Sequence, residues 1–288
     1  MTWLDVALGP DTNDRASRVP WAPILRDVQV QGVTLRVAEQ GAGRPLLLIN
    51  GIGANLEMWR PAAECLPGRQ LIMFDVPGTG ASPAMLSYIS MRRFAQLVDG
   101  LLDEVGLTSC DVLGYSWGGA LAQEFAHRAP HRVRSLVLAA TTCGLGGRMP
   151  VPWAAALMAT PMRYYSRTYL RFIAPLVFGS APHAAADSAH GDARFDRPPS
   201  MVGYATQLAA VWSWTSRPWL ATLDMPTLVL SGARDPLVRP GNAQLLARGI
   251  PDARVHLVDG GHLFLLEQPA LCCPLIEAFL DNARAAAE

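Results

Sequence analysis

The chain has 288 residues, 50% of them hydrophobic and 17% charged, the makeup of one large packed domain or a domain with an insert, and unlike that of a disordered chain. Basic and acidic residues balance at 24 each, so no overall positive field gathers phosphate backbones, and no uncharged apolar run reaches the roughly 18 residues needed to cross a bilayer. All 24 basic residues are arginine, which excludes an enzyme Schiff base, a pyridoxal-phosphate linkage, the lysine of a P-loop and a Ser-Lys dyad.

Residues 1–25 contain Pro10, Pro20 and Pro23 and a polar stretch from Asp11 to Arg18, and are expected to form an N-terminal arm at the surface. This segment has neither a basic stretch ahead of an apolar one nor a small-residue cleavage site, so it does not read as a secretory signal. Next, Val28 to Val30 and Val33 to Glu39 alternate about Gly32 like a hairpin. Pro45 to Ile49 is a short continuous apolar run, the pattern of a strand covered on both faces. Such runs recur at Leu71 to Phe74, Val112 to Leu113, Leu136 to Ala140, Thr227 to Leu230 and Val255 to Val258. Helical periodicity fills much of the intervening chain, over Met91 to Val105, Gly118 to His127 and Leu271 to Ala286. Residues 26–142 and 220–288 are therefore expected to build an α/β core, a mostly parallel sheet with helices on both faces.

The alternation breaks over residues 143–219, which hold Trp153, Trp212, Trp214 and Trp219, half of the eight tryptophans, and no buried-strand run. This interval reads as an inserted helical cap. Its seven arginines against three aspartates read as solvated side chains. His183, Asp187, His190 and Asp192 lie close together there, but without H-E-x-x-H spacing and amid alanines they read as a solvent loop, and neither metal nor cofactor is expected. The five cysteines, Cys65, Cys110, Cys143, Cys272 and Cys273, form no CxxC pair and suit structural thiols in a reducing cytoplasm.

The strongest chemical signal is Gly114-Tyr115-Ser116-Trp117-Gly118, a G-x-S-x-G between a strand and a helix. A serine on so sharp a turn presents its hydroxyl clear of the sheet, provided that the residues two before and two after are small. Its hydroxyl needs a base. Of the six histidines, His262 follows Val258-Asp259-Gly260-Gly261 after the last apolar strand, where it can reach back to Ser116. The acid that orients such a base is expected at Asp235, which leaves the end of the strand through Leu230 and precedes His262 by 27 residues, with Asp259 the alternative. The order Ser, Asp, His is that of the α/β-hydrolase fold. Asn50-Gly51-Ile52-Gly53-Ala54-Asn55 follows its strand where an oxyanion loop belongs, so the backbone N–H groups of Ile52 and Trp117 are the expected oxyanion donors. Read as a dinucleotide fingerprint, Gly51-Ile52-Gly53 fails at Leu56, where the third glycine belongs, and Asp75 reads as a turn former.

Several stretches together resemble the intracellular depolymerases of medium-chain-length polyhydroxyalkanoates: Asn50 to Glu57, Phe74 to Gly78, Ser116 to His127, Leu136 to Thr141, Trp214 to Ser216 with Trp219-Leu220, Asp235 to Leu237 and Gly261 to Leu265. The resemblance spans about residues 45–280 and departs from the family pattern at Tyr115, in the middle of the cap and in the N-terminal arm. It implies a cytoplasmic serine hydrolase with Ser116 as nucleophile, Asp235 as acid and His262 as base, acting on a storage polyester at a granule surface. Trp153, Trp212, Trp214 and Trp219 are then expected to line an apolar acyl groove. A hydrolase of small soluble esters or lactones on the same triad is the rival enzyme, and a non-catalytic binding protein of the same fold the remoter alternative.

Overall fold

A computed structural model describes residues 19–87 and 89–285; residues 1–18 of the expected arm lie outside them. Its centre is an eight-stranded sheet in the order β1-β2-β4-β3-β5-β6-β7-β8. β1 (Ile24–Val30) and β2 (Val33–Gln40) form an antiparallel hairpin whose turn needs positive φ at Gln31 and Gly32, 49° and 81°. β1 begins at Ile24, within the stretch assigned to the arm. Ile24 and Leu25 are exposed on an edge strand, so backbone pairing with Glu39 and Ala38 places them there and no burial pattern announces it.

The remaining strands follow the apolar runs: β3 (Arg44–Ile49), β4 (Arg69–Phe74), β5 (Cys110–Tyr115), β6 (Val133–Ala139), β7 (Thr227–Gly232) and β8 (Ala253–Val258). From β3 to β8 all neighbours are parallel, and β2 alone runs against the rest, since β1 is antiparallel to β2 and so points with the others. β5 and β7 are buried along their whole length, which is why they read as unbroken apolar runs. The chain moves from β3 outward to β4 and then back past β3 to β5. Right-handed crossovers therefore put α1 (Arg60–Ala63) and α2 (Met91–Glu104) on opposite faces. α2 starts where the Ser90 side chain accepts the Arg93 N–H, and turns Met91, Phe94, Val98 and Leu101 inward on one stripe. α3 (Trp117–Arg128) follows β5.

Between β6 and β7 the chain leaves the sheet and forms five helices: α4 (Pro152–Met158), α5 (Arg167–Val177), α6 (Pro182–Ala186), α7 (Ala189–Asp196) and α8 (Met201–Trp212). α9 (Gly241–Gly249), α10 (Phe264–Glu267) and α11 (Pro269–Ala285) complete the core. Among the described residues no helix is long and apolar enough to cross a membrane.

The two ends of the helical insert meet at a bridge between Gly144 and Thr215 and are tied to α3 by consecutive side chains. Gln123 Nε2 donates to the Thr142 carbonyl at 3.0 Å, Gln123 Oε1 accepts from Ser216 Oγ at 2.6 Å, and Glu124 Oε2 accepts from the Trp214 indole at 2.8 Å. All three contacts are buried or nearly so, where an unmade hydrogen bond costs about 1–3 kcal/mol. Replacing Glu124 with Leu leaves the Trp214 N–H without an acceptor. Urea unfolding should show a loss of about 1–3 kcal/mol.

Candidate active site

Ser116 stands between β5 and α3 at φ 55° and ψ −117°, a backbone state that costs a residue with a Cβ roughly 1–3 kcal/mol. Its neighbours hold it there. The Ser116 N–H donates to the Ala139 carbonyl at 2.8 Å, and its own carbonyl accepts from Gly119 N–H at 2.9 Å and Thr141 Oγ1 at 2.7 Å. The turn closes because two side chains are missing: a Cβ on Gly118 would lie 2.1 Å from the Ile49 carbonyl oxygen, and one on Gly114 would lie 2.5 Å from that of Gly118.

His262 Nε2 lies 3.1 Å from Ser116 Oγ, and its Nδ1 lies 2.6 Å from Asp235 Oδ2. The second Asp235 oxygen accepts the backbone N–H groups of Leu237 and Val238 at 2.9 and 2.8 Å. A carboxylate only accepts, so Nδ1 carries the imidazole proton and Nε2 is left as the acceptor facing the serine hydroxyl. Asp235 and His262 are each 3% exposed, which strengthens both contacts by excluding water. The structure thus brings together the three side chains expected from the sequence. Asp259, the alternative acid, is exposed and ion-paired with Arg234.

Two residues that the sequence did not single out for this site pin His262. The Tyr115 hydroxyl donates to the His262 carbonyl at 2.7 Å, and burial pushes that phenol well above its usual range, so it stays a donor. Phe178, just past α5, accepts the His262 N–H on its carbonyl at 2.6 Å and lays its ring beside the imidazole, 5.9 Å between centroids and 19° between planes. A close sequence signal existed only for Tyr115, which adjoins the serine; Phe178 is 84 residues from His262 in the chain and meets it only through the fold.

Asp75 does more than form a turn. Fully buried, it accepts the N–H groups of Leu56 and Ala81 at 2.8 and 2.9 Å and pairs with Arg36 at 3.2 Å, tying the loop after β3 to the turn after β4. Burial pushes its carboxyl up to about 6, against the downward pull of those donors.

Ile52, Ser116 and Trp117 open on one cavity of about 190 Å³. Its walls are mainly apolar and include Met149, Met158, Leu208, Val211, Trp212 and Leu237, with Arg148 and Asn242 among the few polar groups. Of the four tryptophans expected to line an acyl groove, only Trp212 is part of this wall. Trp153 is exposed on α4 away from it; Trp214 is buried against Trp219 with its indole on Glu124; and Trp219 stacks on His127 at 4.2 Å. Indoles gathered in one stretch of sequence are thus divided between the pocket, the surface and the base of the helical insert.

Two of the seven arginines of this insert depart from the solvated reading. Arg163 and Arg194 are buried, each 2% exposed, with their guanidinium groups over the Tyr164 ring at 4.6 and 4.9 Å. The residues weighed as metal ligands belong to α6, α7 and their flanks and not to a solvent loop. Asp187 pairs with Arg171 and His183, and Asp192 with Arg167. His190 is buried, and that burial, with Arg194 nearby, drives its imidazole down to about 3.

Residues 44–269 match the sequence model of the α/β-hydrolase fold. A poly(3-hydroxyalkanoate) depolymerase of Ectopseudomonas oleovorans is 40% identical over 273 residues, covering 92% of this chain and 95% of the relative. A 3-oxoadipate enol-lactonase of Acinetobacter baylyi is 27% identical over 259 residues, covering 88% and 95%. Among solved structures, a hydrolase from Pseudomonas aeruginosa superposes with a TM-score of 0.77 at 27% identity, covering 89% of this chain and 98% of that one. The resemblance drawn from the motifs is therefore borne out along nearly the whole chain.

Ser116→Ala is expected to remove hydrolysis by roughly 10⁴- to 10⁶-fold in a protein that melts where the parent does. Asp235→Asn should cost about 10⁴-fold by favouring the wrong His262 tautomer. In both cases the rate is read on a nitrophenyl ester beside a thermal melt. Gly118→Ala presses a methyl group into backbone oxygens that cannot swing away, so it should lower stability by about 1–3 kcal/mol or more and take activity with it.

Proposed function

We propose a substrate and a mechanism for this chain, which belongs to the α/β-hydrolase family and is an ester hydrolase. The substrate is medium-chain-length polyhydroxyalkanoate or its 3-hydroxyalkanoate oligomers. His262 Nε2 takes the hydroxyl proton as Ser116 Oγ attacks the ester carbonyl, while Asp235 keeps Nδ1–H in place and favours the imidazolium that forms. The developing oxyanion accepts the N–H groups of Ile52 and Trp117, which share the cavity wall with Ser116. His262 then returns the proton to the departing alcohol, the hydroxyl end of the next monomer. Water repeats the sequence on the acyl-enzyme: it gives a proton to His262, its oxygen bonds to the acyl carbon, and Ser116 leaves with the proton. The reading calls for neither metal nor cofactor.

The observation that carries this proposal is the hydrogen-bonded chain from Asp235 through His262 to Ser116, opening on an apolar cavity. The name of the 40% identical relative supports the polyester. So does the surface of the helical insert. Among the described residues, ten of the fourteen exposed large hydrophobic side chains belong to the stretch 143–219, Met149, Trp153, Phe172, Met201 and Trp212 among them. Such a concentration suits contact with a hydrophobic particle, here a storage granule in the cytoplasm.

A series of nitrophenyl esters, run beside a latex of medium-chain polymer, tests the substrate. Each methylene that the cavity accepts should raise kcat/KM by up to about 0.8 kcal/mol, roughly fourfold, so C8 esters should outrun C2 esters and the latex should clear. A C2 optimum without clearing would assign the chain to small soluble esters or lactones. A C8 optimum without clearing would leave an esterase for lipophilic substrates and remove the polymer.

A further inference from the structure

The loop after β3 is held on both sides. From the core, Asn50 Nδ2 donates to the Asn55 carbonyl at 2.8 Å and Asp75 holds Leu56. From the helical insert, the single peptide unit joining Ile52 to Gly53 is gripped at both of its polar ends. Its carbonyl oxygen accepts from the Tyr164 hydroxyl at 2.6 Å and from Arg163 Nη2 at 3.2 Å, and its N–H donates to Gln207 Oε1 at 2.9 Å. The Gln207 backbone carbonyl meanwhile accepts the Trp117 indole N–H at 2.8 Å, so one residue of α8 touches both residues offered as oxyanion donors or their immediate neighbours.

These gripping groups are themselves built in. Gln207 is fully buried, and Arg163 and Tyr164 are 2% and 3% exposed. Arg163 Nη1 donates to the Tyr204 hydroxyl at 2.6 Å, which donates in turn to the Met158 carbonyl at 2.5 Å. Gly53 has φ 72°, and a Cβ there would lie 2.9 Å from both the Tyr164 and the Tyr204 ring, so the loop backbone lies as close to the insert as a glycine allows. Among the described residues Arg163 pairs with no carboxylate, although an isolated buried charge costs several kcal/mol. A guanidinium stays charged in proteins, so this cation sets a positive potential beside the place where ester hydrolysis creates a negative oxygen.

We propose that Tyr164, Arg163 and Gln207 are positioning residues for the oxyanion hole, and that the helical insert completes this hole from above. Fixing the Ile52–Gly53 peptide plane holds the carboxyl side of Ile52, and the Ala54 N–H, donating to the Gly51 carbonyl at 3.1 Å, holds the Gly51–Ile52 plane that carries the Ile52 N–H, so the two together constrain its direction. The insert then cannot lift away as a free lid without loosening the donor it holds. Docking of the insert and stabilisation of the tetrahedral intermediate become one event. This inference rests on the reading of Ile52 and Trp117 as oxyanion donors.

The test uses the full chain carrying Tyr164→Phe, which removes one hydroxyl, and Gln207→Leu, which removes the acceptor of Gly53 N–H. Tyr165→Phe, which removes a hydroxyl of the same insert bonded to Pro199, is the control. Three quantities are read: kcat and KM on nitrophenyl octanoate, the inhibition constant of octylboronic acid, and the rate ratio of an ester to its thionoester. The boronic acid bonds to Ser116 Oγ as His262 takes the proton, leaving a tetrahedral anion that resembles the intermediate. Each of the two variants is expected to lose kcat by about tenfold or more with KM nearly unchanged, to bind the boronic acid weaker by a similar factor, and to discriminate less against sulfur. The control keeps all three. If the parent discriminates strongly against the thionoester and the variants keep parental kcat and boronic acid affinity, the positioning role is overturned and the oxyanion hole stands. If the parent shows no such discrimination, the oxyanion reading fails and the inference with it. Should Gln207→Leu not fold, Tyr164→Phe decides alone, since its loss of one hydroxyl leaves the ring packing in place.

Discussion

A serine at φ 55° and ψ −117° does not rest there by preference, and the surroundings of Ser116 are what the rest of this molecule is arranged around. Its N–H is taken by β6 through Ala139, its carbonyl by Thr141 and the first turn of α3, and its two flanking glycines let α3 come down onto β3 and β5 with backbone oxygens nearly in contact. With the turn closed, the hydroxyl stands above the carboxyl ends of the parallel strands. The segments leaving β7 and β8 bring Asp235 and His262 to the same edge. Parallel packing makes this possible, since it sends every strand out of the sheet at one end and so collects side chains distant in sequence.

The helical insert between β6 and β7 takes part in that arrangement at three levels. Its base is bonded to α3 through Gln123 and Glu124, about two turns beyond the serine. Its inner side provides part of the cavity wall through Met158, Leu208 and Trp212 and carries Phe178, which holds His262 by its N–H. Its buried arginines sit among tyrosine rings and carbonyl groups, and among the described residues no carboxylate pairs with them. A net charge of zero over the whole chain therefore hides a local imbalance. Elsewhere the arginines are spent conventionally, as around the fully buried Asp111 carboxylate, which faces Arg44 at 3.0 Å and Arg134 and Arg69 at 3.8 and 3.9 Å.

Much of the fold was legible in the sequence because the central strands and the two long helices next to Ser116 carry their burial in their own spacing. β5 and β7 are enclosed on both faces, so they read as unbroken apolar runs, and α2 has a stripe that repeats with the helical turn. β1 was missed at its start because Ile24 and Leu25 are exposed and owe their strand to pairing with β2 alone. The insert was legible only as a break in the pattern. Its helices are short, several begin at proline or a capping serine, and α6 and α7 replace what composition suggested was a loop.

Which residue types could do chemistry, and where the main candidates stand, can be read along the chain: a serine between two glycines after a strand, an aspartate after the next-to-last strand, and a histidine after the last. Each of these is marked by its own neighbours, because a strained turn and a strand end impose requirements within a few residues. What those residues touch is fixed by packing in the folded molecule. Nothing local to Arg163 distinguishes a buried cation on the Ile52 carbonyl from a solvated one, and nothing local to Gln207 places its amide on Gly53, 154 residues away. The same holds for the four tryptophans, which composition offers as one group and packing sends to three different places. Contacts between residues so far apart are set by how whole elements stack, and spacing along the chain carries no record of that.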